Sequence, residues 1–519
     1  MRRLILSSLL LTSLGFAANS KVARELEHFQ PDTPVDVIVQ YRQEPTARQH
    51  DKIRKNYGGE LRHHLGVIRA GAYSGLRPRQ LEQIANDPEV ENISADNAVW
   101  GALDNTAGAI GAQSAWSKGL LGDGIGVAVI DSGVALEYSS FVAYSQSFVA
   151  GDASVDDSFG HGTHVMGILS VPQGLDVGGR TFSGISPNVS LINLRVLNRT
   201  GIGTDSAVIA AIQKAIALKS TYGIRIINLS LGRPVTQSYK TDPLCQAVEA
   251  AWKAGIVVVV AAGNYGRDNS LGEQGYGTIT APGNDPYVLT VGAMKSMSTP
   301  SRTDDLIASY SSKGPSSIDH VVKPDLVAPG NQIISASAAN SYLDVTYPAN
   351  FPVLGGSTQS YLFTLSGTSM AAPVVSGAAA LLLQQNPALT PDQVKARLMK
   401  TAYKSFPKSS IAVDPATKAQ YTSYYDLFTV GAGYLDVQAA ILNTDTFTGS
   451  ALSPVANYNP SSKSVTIANI AGSNVVWGSN VVWGSGSLVA TNVVWGSNVV
   501  WGSSNVAGEA IQITLYGEQ

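Results

Sequence analysis

Four short blocks, met in order along the chain, carry side chains suited to acyl transfer. They are Val-Ala-Val-Ile-Asp131-Ser-Gly, Gly-His161-Gly-Thr-His164-Val, Val-Ala-Ala-Gly-Asn264 and Ser-Gly-Thr-Ser369-Met-Ala-Ala-Pro373. A serine hydroxyl is a weak nucleophile at neutral pH and needs an adjacent base. His161 can take its proton and hand it to a leaving amine. Asp131 can fix the imidazole tautomer and stabilise the imidazolium. Asn264 can donate to the oxyanion of a tetrahedral intermediate. Singly, each block has an ordinary use: an Asp ending a strand, a Ser capping a helix, an Asn in a turn. Their conjunction in one order is what points to catalysis.

The blocks resemble those of the subtilisin-like serine proteases, whose chain order is Asp, His, Ser. The resemblance covers residues 30 to 442. It implies a triad of Asp131, His161 and Ser369, with Asn264 as oxyanion donor. Loss of one such donor costs about 3–4 kcal/mol of transition-state stabilisation, a value that comes from subtilisin itself. It also implies that Ser230-Leu231-Gly232 and Gly263 wall the pocket for the residue before the cut. Gly201-Ile202-Gly203 is similar to the edge segment that pairs with extended substrate by β-augmentation. With no acid in those pocket segments, an apolar or aromatic residue before the cut is expected. Substrates are then proteins or peptides.

The sequence departs from the family twice. Tyr138-Ser139-Ser140 replaces the usual His-Pro-Asp after the Asp131 block, and the loop after Ile168 lacks the Asn-rich calcium turn. Asp176 alone is a poor basis for six to eight oxygens. No cofactor is expected, and a calcium site elsewhere stays open. His164 could pair with His161 as a metal His-x-x-His, but the Glu of a zinc helix and a third ligand are missing. It reads as a packed helix residue, with no metal.

Elements must carry these groups to one place. Apolar runs at Val127–Ile130, Leu191–Val196, Ile224–Leu229, Ile256–Ala261 and Val288–Val291 read as strands buried on both faces. Helical patterns at Thr163–Leu169, Asp205–Leu218, Leu244–Lys253, Ser369–Gln385 and Leu389–Thr401 alternate with them. The expected fold is α/β, a doubly wound, mostly parallel sheet. Such sheets put chemistry at strand ends and helix starts.

Residues 33–101 read as β-α-β-β-α-β, a small α+β ferredoxin-like unit. It is similar to the propeptide of subtilisin-like enzymes, which implies a folding helper and inhibitor. Before it, Arg2 and Arg3 precede an apolar run from Leu4 to Leu14, the pattern of a secretory signal. The expected division is 1–17 signal peptide, 18–103 propeptide, 104–442 peptidase and 443–519 tail. Asn97 to Asn105 has no periodicity and suits a segment lying in the cleft, with Leu103 the expected residue before a self-cleavage between Trp100 and Thr106.

The tail is compositionally distinct. Asn-Val-Val-Trp-Gly-Ser starts at Asn474, Asn480, Asn492 and Asn498. A period of six puts all four indoles on one face of an extended chain. The tail is expected to be β-rich or disordered, to find a surface or protein partner, and to be dispensable, so that truncation after Leu442 keeps small-peptide activity. Net charge is −3 with no basic run, which argues against nucleic-acid binding. No apolar run reaches a membrane span, so no transmembrane anchor is expected. The single cysteine, Cys245, permits no internal disulfide and reads as a buried thiol. The leading reading is an exported endopeptidase made as an autoinhibited zymogen. Two others compete: a catalytically weak protease-like scaffold whose Trp repeats mediate adhesion, and an esterase, for which Gly367-Thr-Ser369-Met-Ala371 lacks the second Gly of the elbow.

Overall fold

The computed structural model describes residues 21–23, 26, 31–95, 102–171, 175–177, 180–270, 274–354, 357–414, 417–459, 464–468, 476–477, 481–482, 515 and 518. The chain forms two units, divided at Val99 and Trp100.

In the first unit the order is β1 (Val35–Tyr41), α1 (Ala47–Tyr57), β2 (Glu60–Leu65), β3 (Ala70–Leu76), α2 (Pro78–Ala85) and β4 (Val90–Ala95). The sheet order is β2-β3-β1-β4, antiparallel throughout. That is the ferredoxin-like arrangement read from the sequence. The alternation of β1 sends Val37 and Val39 inward. There they meet Tyr73, Leu81, Ile84 and Ile93.

The second unit opens with α3 (Ala102–Ile110). Residues 102–105, expected as aperiodic chain, are therefore helical: Ala, Leu, Asp and Asn accept a helix when the following turns bury Thr106, Ala107, Ala109 and Ile110. Then come β5 (Gly126–Asp131), β6 (Val142–Ser147), α4 (His161–Ser170), β7 (Ser190–Arg195), α5 (Asp205–Tyr222), β8 (Ile224–Leu229), α6 (Pro243–Lys253), β9 (Val257–Ala261) and β10 (Leu289–Lys295). After them lie β11 (Leu306–Ile307), β12 (Leu326–Pro329), β13 (Ile333–Ala336), β14 (Leu362–Leu365), α7 (Thr368–Gln385) and α8 (Pro391–Thr401).

The main sheet runs β11-β10-β9-β8-β5-β7-β6, with β12 also on β10. Every pair is parallel except β10 with β11. Every residue of β5 and β9 is buried, as continuous apolar runs require when helices cover both faces. Strand order reverses at β5, which lies between β8 and β7. The crevice at the carboxyl end of such a strand is where this architecture builds sites. Asp131 ends that strand.

Packing continues past Leu442, the end expected for this unit. Helix α9 (Val437–Leu442) is followed by a hairpin of β15 (Val455–Asn459) and β16 (Ser464–Ala468). Ala451, Ala456, Val465 and Ile467 belong to the same apolar core as the sheet. Ser453 N–H donates to Pro286 O at 2.9 Å, and Val322 N–H to Pro454 O at 2.8 Å. The composition of 443–468 hid this role, because short segments that fill a groove carry little periodicity. In the repeats, Val476-Trp477 pairs antiparallel with Val481-Val482. Trp483, Trp495 and Trp501 lie outside the described residues, as does the expected signal segment.

Candidate active site

The ends of β5 and the start of α4 meet because two glycines allow it. Gly133 holds φ +120°, and a Cβ on Gly162 would sit 2.3 Å from Gly133 O. This approach sets His161 Nδ1 2.8 Å from Asp131 Oδ1. Asp131 Oδ1 also accepts from Ser132 N at 2.8 Å, while Oδ2 has no partner. Both side chains are almost fully buried. With Nδ1–H donating to Asp131, the free lone pair of the neutral ring lies on Nε2. Burial works against the proton on His161. The charge and hydrogen bond of Asp131 outweigh it, with Asp157 adding to them, so the ring titrates above its ordinary 6.5.

Asp157 is a part of the site that the motif reading missed. Its Oδ1 accepts from Ser132 Oγ at 2.8 Å, Phe159 N at 3.2 Å and Gly160 N at 2.7 Å. Its Oδ2 accepts from Thr163 N and Thr163 Oγ1, both at 2.7 Å. Ser132 Oγ in turn accepts from Gly162 N at 2.8 Å. One buried carboxylate thus ties the strand carrying Asp131 to the helix carrying His161. The signal lay in Asp156-Asp157, upstream of His161, but acidic pairs before helices are common caps.

Ser369 sits in the first turn of α7. Its Oγ donates to Ser230 O at 3.1 Å, and Ser230 Oγ donates back to Ser369 O at 2.8 Å. Pro373 lies four residues on, inside the helix. It has no N–H for the Ser369 carbonyl, so that acceptor is left for Ser230. Asn264 follows β9. Its Oδ1 accepts from Thr368 N at 2.9 Å and Thr368 Oγ1 at 3.1 Å. The Nδ2 donor is then the side that can serve a ligand.

His161, Ser369 and Asn264 line one cleft of about 490 Å³. Its walls include every expected substrate segment: Gly201, Ile202 and Gly203 on one side; Ser230, Leu231, Gly232 and Gly263 on the other. Gly201 has φ +75°, and a Cβ there would meet the Phe159 ring at 2.6 Å. Cβ atoms on Gly232 and Gly263 would meet Thr280 at 2.6 and 2.8 Å. Thr280, which the sequence marks as able to reshape this pocket, therefore closes the space between Gly232 and Gly263. Asp205 also lines the cleft, but Arg233 Nε holds both its oxygens at 2.9 Å. Leu343 and Leu515 also line it.

His164 is separate from this chemistry. It is wholly buried, and Nε2 lies 3.0 Å from Ile333 O and Phe363 O. Burial first, then the His161 charge, pushes it down to about 3, so it is a neutral link between α4 and the β13–β14 hairpin. In the loop expected to lack calcium, Leu175–Val177 pairs with Arg180–Phe182 as a hairpin. Among the described residues no group of three or more His, Cys, Asp or Glu is placed to hold a metal. Cys245 is buried beside Asn284, and burial pushes its thiol up. No helix among the described residues is long and apolar enough to cross a membrane.

Comparison with known proteins finds a family and many relatives. Residues 122–433 match the model of Peptidase_S8, the subtilase family. The chain is 38% identical over 332 residues to serine protease AprX of Bacillus subtilis (strain 168), across 62% of this chain and 71% of that protein. It is 35% identical over 332 residues to subtilisin DY of Bacillus licheniformis, across 64% of this chain and 96% of the relative. An alkaline protease of Alkalihalobacillus alcalophilus is 32% identical over 331 residues, across 63% and 72%.

Proposed function

The chain belongs to the subtilase family and is a serine endopeptidase, and on that premise we propose that it is an exported enzyme, made as a zymogen, whose reacting groups are Ser369, His161, Asp131 and Asn264. The observation that carries the assignment is the buried Asp131–His161 pair at 2.8 Å opening onto the same cleft as Ser369 and Asn264.

The reaction follows from these atoms. The backbone of an extended peptide lies along Gly201-Ile202-Gly203, with the side chain before the cut between Ser230-Leu231-Gly232 and Gly263. Ser369 Oγ leaves Ser230 O, gives its proton to His161 Nε2 and attacks the carbonyl carbon. Asp131 stabilises the imidazolium without taking the proton. The oxyanion takes hydrogen bonds from Asn264 Nδ2 and the amides at the start of α7, where the helix dipole favours negative charge. The carbon–nitrogen bond breaks as His161 returns the proton to the amine. Water, activated by the same imidazole, then hydrolyses the ester.

Residues 18–103 act in this reading as folding helper and inhibitor, in keeping with the ferredoxin-like topology of residues 35–95. Export is supported by the charged and apolar opening of the sequence. A fluorophosphonate probe tests the central assignment: it labels the wild-type chain and leaves Ser369→Ala unlabelled. Peptide cleavage undiminished in that variant would falsify it.

A further inference from the structure

Beyond the triad, the second unit contains a finished recess for a carboxylate, and the chain fills it itself. Glu518 is 6% exposed although it bears a charge. Its Oε1 accepts from Arg267 Nη2 at 2.9 Å, from Ser309 N at 2.7 Å and from Ser309 Oγ. Arg267 Nε donates to Ser309 Oγ at 2.7 Å, and its guanidinium lies 4.8 Å from the Tyr421 ring centroid. Asp414 Oδ2 also lies 3.7 Å from Arg267 Nη1, so the cation is held from several sides apart from Glu518.

Asn331 grips the main chain of the same residue. Glu518 N donates to Asn331 Oδ1 at 2.7 Å, and Asn331 Nδ2 donates to Glu518 O at 2.8 Å. An amide that pairs with both polar groups of one residue recognises peptide backbone in general. Arg267 and Ser309 select an acidic side chain on it. A buried charge is stable only when paired and hydrogen-bonded, and both conditions are met.

The recess lies close to the catalytic frame. Arg267 is three residues past Asn264. Asn331 follows Gly330, whose carbonyl accepts from Gly367 N at 2.7 Å, two residues before Ser369. Three residues before Glu518, no more than roughly 11 Å of chain, Leu515 is 4% exposed and lines the cleft together with His161, Asn264 and Ser369. Asn350 Nδ2 donates to its carbonyl.

We propose that Arg267, Ser309 and Asn331 form a binding site for an acidic peptide segment, occupied in cis by Glu518, and that its occupancy lays Leu515 in the cleft in competition with substrate. The competition rests on the reading of the cleft as the substrate site; the binding does not.

The test uses the full chain. Glu518→Arg sets a second guanidinium against Arg267 and empties the site, and Leu515→Ala removes only the side chain in the cleft. Each variant is expected to cleave a small chromogenic peptide with KM lowered several-fold and kcat unchanged. In a Ser369→Ala background, a fluorescent peptide of residues 511–519 is expected to bind the Glu518→Arg chain by anisotropy. The same peptide with Glu518→Gln is expected to bind about tenfold or more weakly, the loss typical of a neutralised, charge-assisted acceptor. No binding, or equal binding of both peptides, overturns the site. Binding with KM unmoved in both kinetic variants overturns the competition. If Ser369→Ala retains turnover, the catalytic reading fails instead, and the anisotropy titration still decides the site.

Discussion

Ser230 and Ser369 hold each other by two reciprocal hydrogen bonds, hydroxyl to carbonyl in each direction, at 2.8 and 3.1 Å. One of the two exists because Pro373 withdraws the N–H that would have served the Ser369 carbonyl. The pair anchors the first turn of α7 to the end of β8, and with it the position of the proposed nucleophile. Ser230→Ala is expected to cost about 1–3 kcal/mol of stability, since a carbonyl loses its partner. It should also lower kcat more than it raises KM, because the hydroxyl is misplaced and not removed. Thermal melts and steady-state kinetics check both; unchanged kcat in a folded variant argues that Ser369 is positioned by its helix alone.

The pH dependence follows from His161. Its conjugate acid is stabilised, net of burial, above the ordinary 6.5. Activity needs the neutral ring, so kcat/KM is lost as pH falls through a value above 6.5. Asp131→Asn removes the main force holding the proton and leaves burial, which lowers the pKa. The acid limb should therefore move down in pH, while turnover falls about 10⁴-fold. An acid limb that stays in place in Asp131→Asn separates the two residues.

The parts of this site legible in sequence are those whose chemistry depends on side-chain identity within one local block. Asp131, His161, Asn264 and Ser369 each sit among small residues whose packing needs are visible in the same few positions. Strands β5 and β9 were legible for a related reason, since burial on both faces demands an unbroken apolar run. Asp157 was not legible, because it works through five donors that only the folded turn assembles. Leu515 and Glu518 lay beyond sequence reasoning altogether. They are more than 140 residues from Ser369, and nothing local distinguishes them from the tail around them. The helix at Ala102–Ile110 was missed because its stability comes from the core it packs on and not from its own pattern.

A buried charge cluster ties residues beyond Leu442 to the core of the second unit. Lys323 Nζ is 2.7 Å from Asp325 Oδ2, and Lys395 Nζ is 3.2 Å from Asp325 Oδ1, all three fully buried. Burial drives both ammonium groups down while Asp325 pulls against it. Ser453 Oγ bonds Asp325 Oδ1, and Lys395 Nζ reaches Ser453 Oγ at 2.9 Å. Lys395→Met leaves Asp325 with Lys323 as its ammonium partner but strips the hydrogen bonds of Lys395 to Pro286 O and Ser453 Oγ, and is expected to cost about 1–3 kcal/mol. Truncation after Leu442 removes Ser453 and the core residues beyond it. It should therefore destabilise the enzyme more than truncation after Ala468, which keeps Ser453 and the hairpin and loses, among the described residues, only the contacts of Leu515 and Glu518. Equal stability of both truncations contradicts this boundary.

Selectivity before the cut should favour apolar or aromatic side chains. Among the described residues, Leu231, two glycines and Thr280 face that space, and the acid in the lining, Asp205, is already held by Arg233. A basic side chain would find, among the described lining residues, no unpaired carboxylate to offset its desolvation. A peptide-library profile dominated by cleavage after Lys or Arg rules this preference out.

Self-processing gives the last test. A protease that grips extended backbone cannot cut inside an intact helix. Asn105, Thr106 and Ala107, within the helix Ala102–Ile110, are buried, so a cut there would have to unwind packed turns. The cut is therefore expected before Asn105, in the first part of the window from Trp100 to Thr106, with Leu103 accessible only if the opening turn frays. Mass spectrometry of the wild-type protein should find a new terminus there, and Ser369→Ala should keep its first unit attached. Mixing the purified Ser369→Ala chain with a trace of wild type distinguishes cutting between molecules from cutting within one, since only the former processes the variant. If Ser369→Ala alone acquires the same terminus without added protease, another enzyme makes the cut and the zymogen is not self-activating.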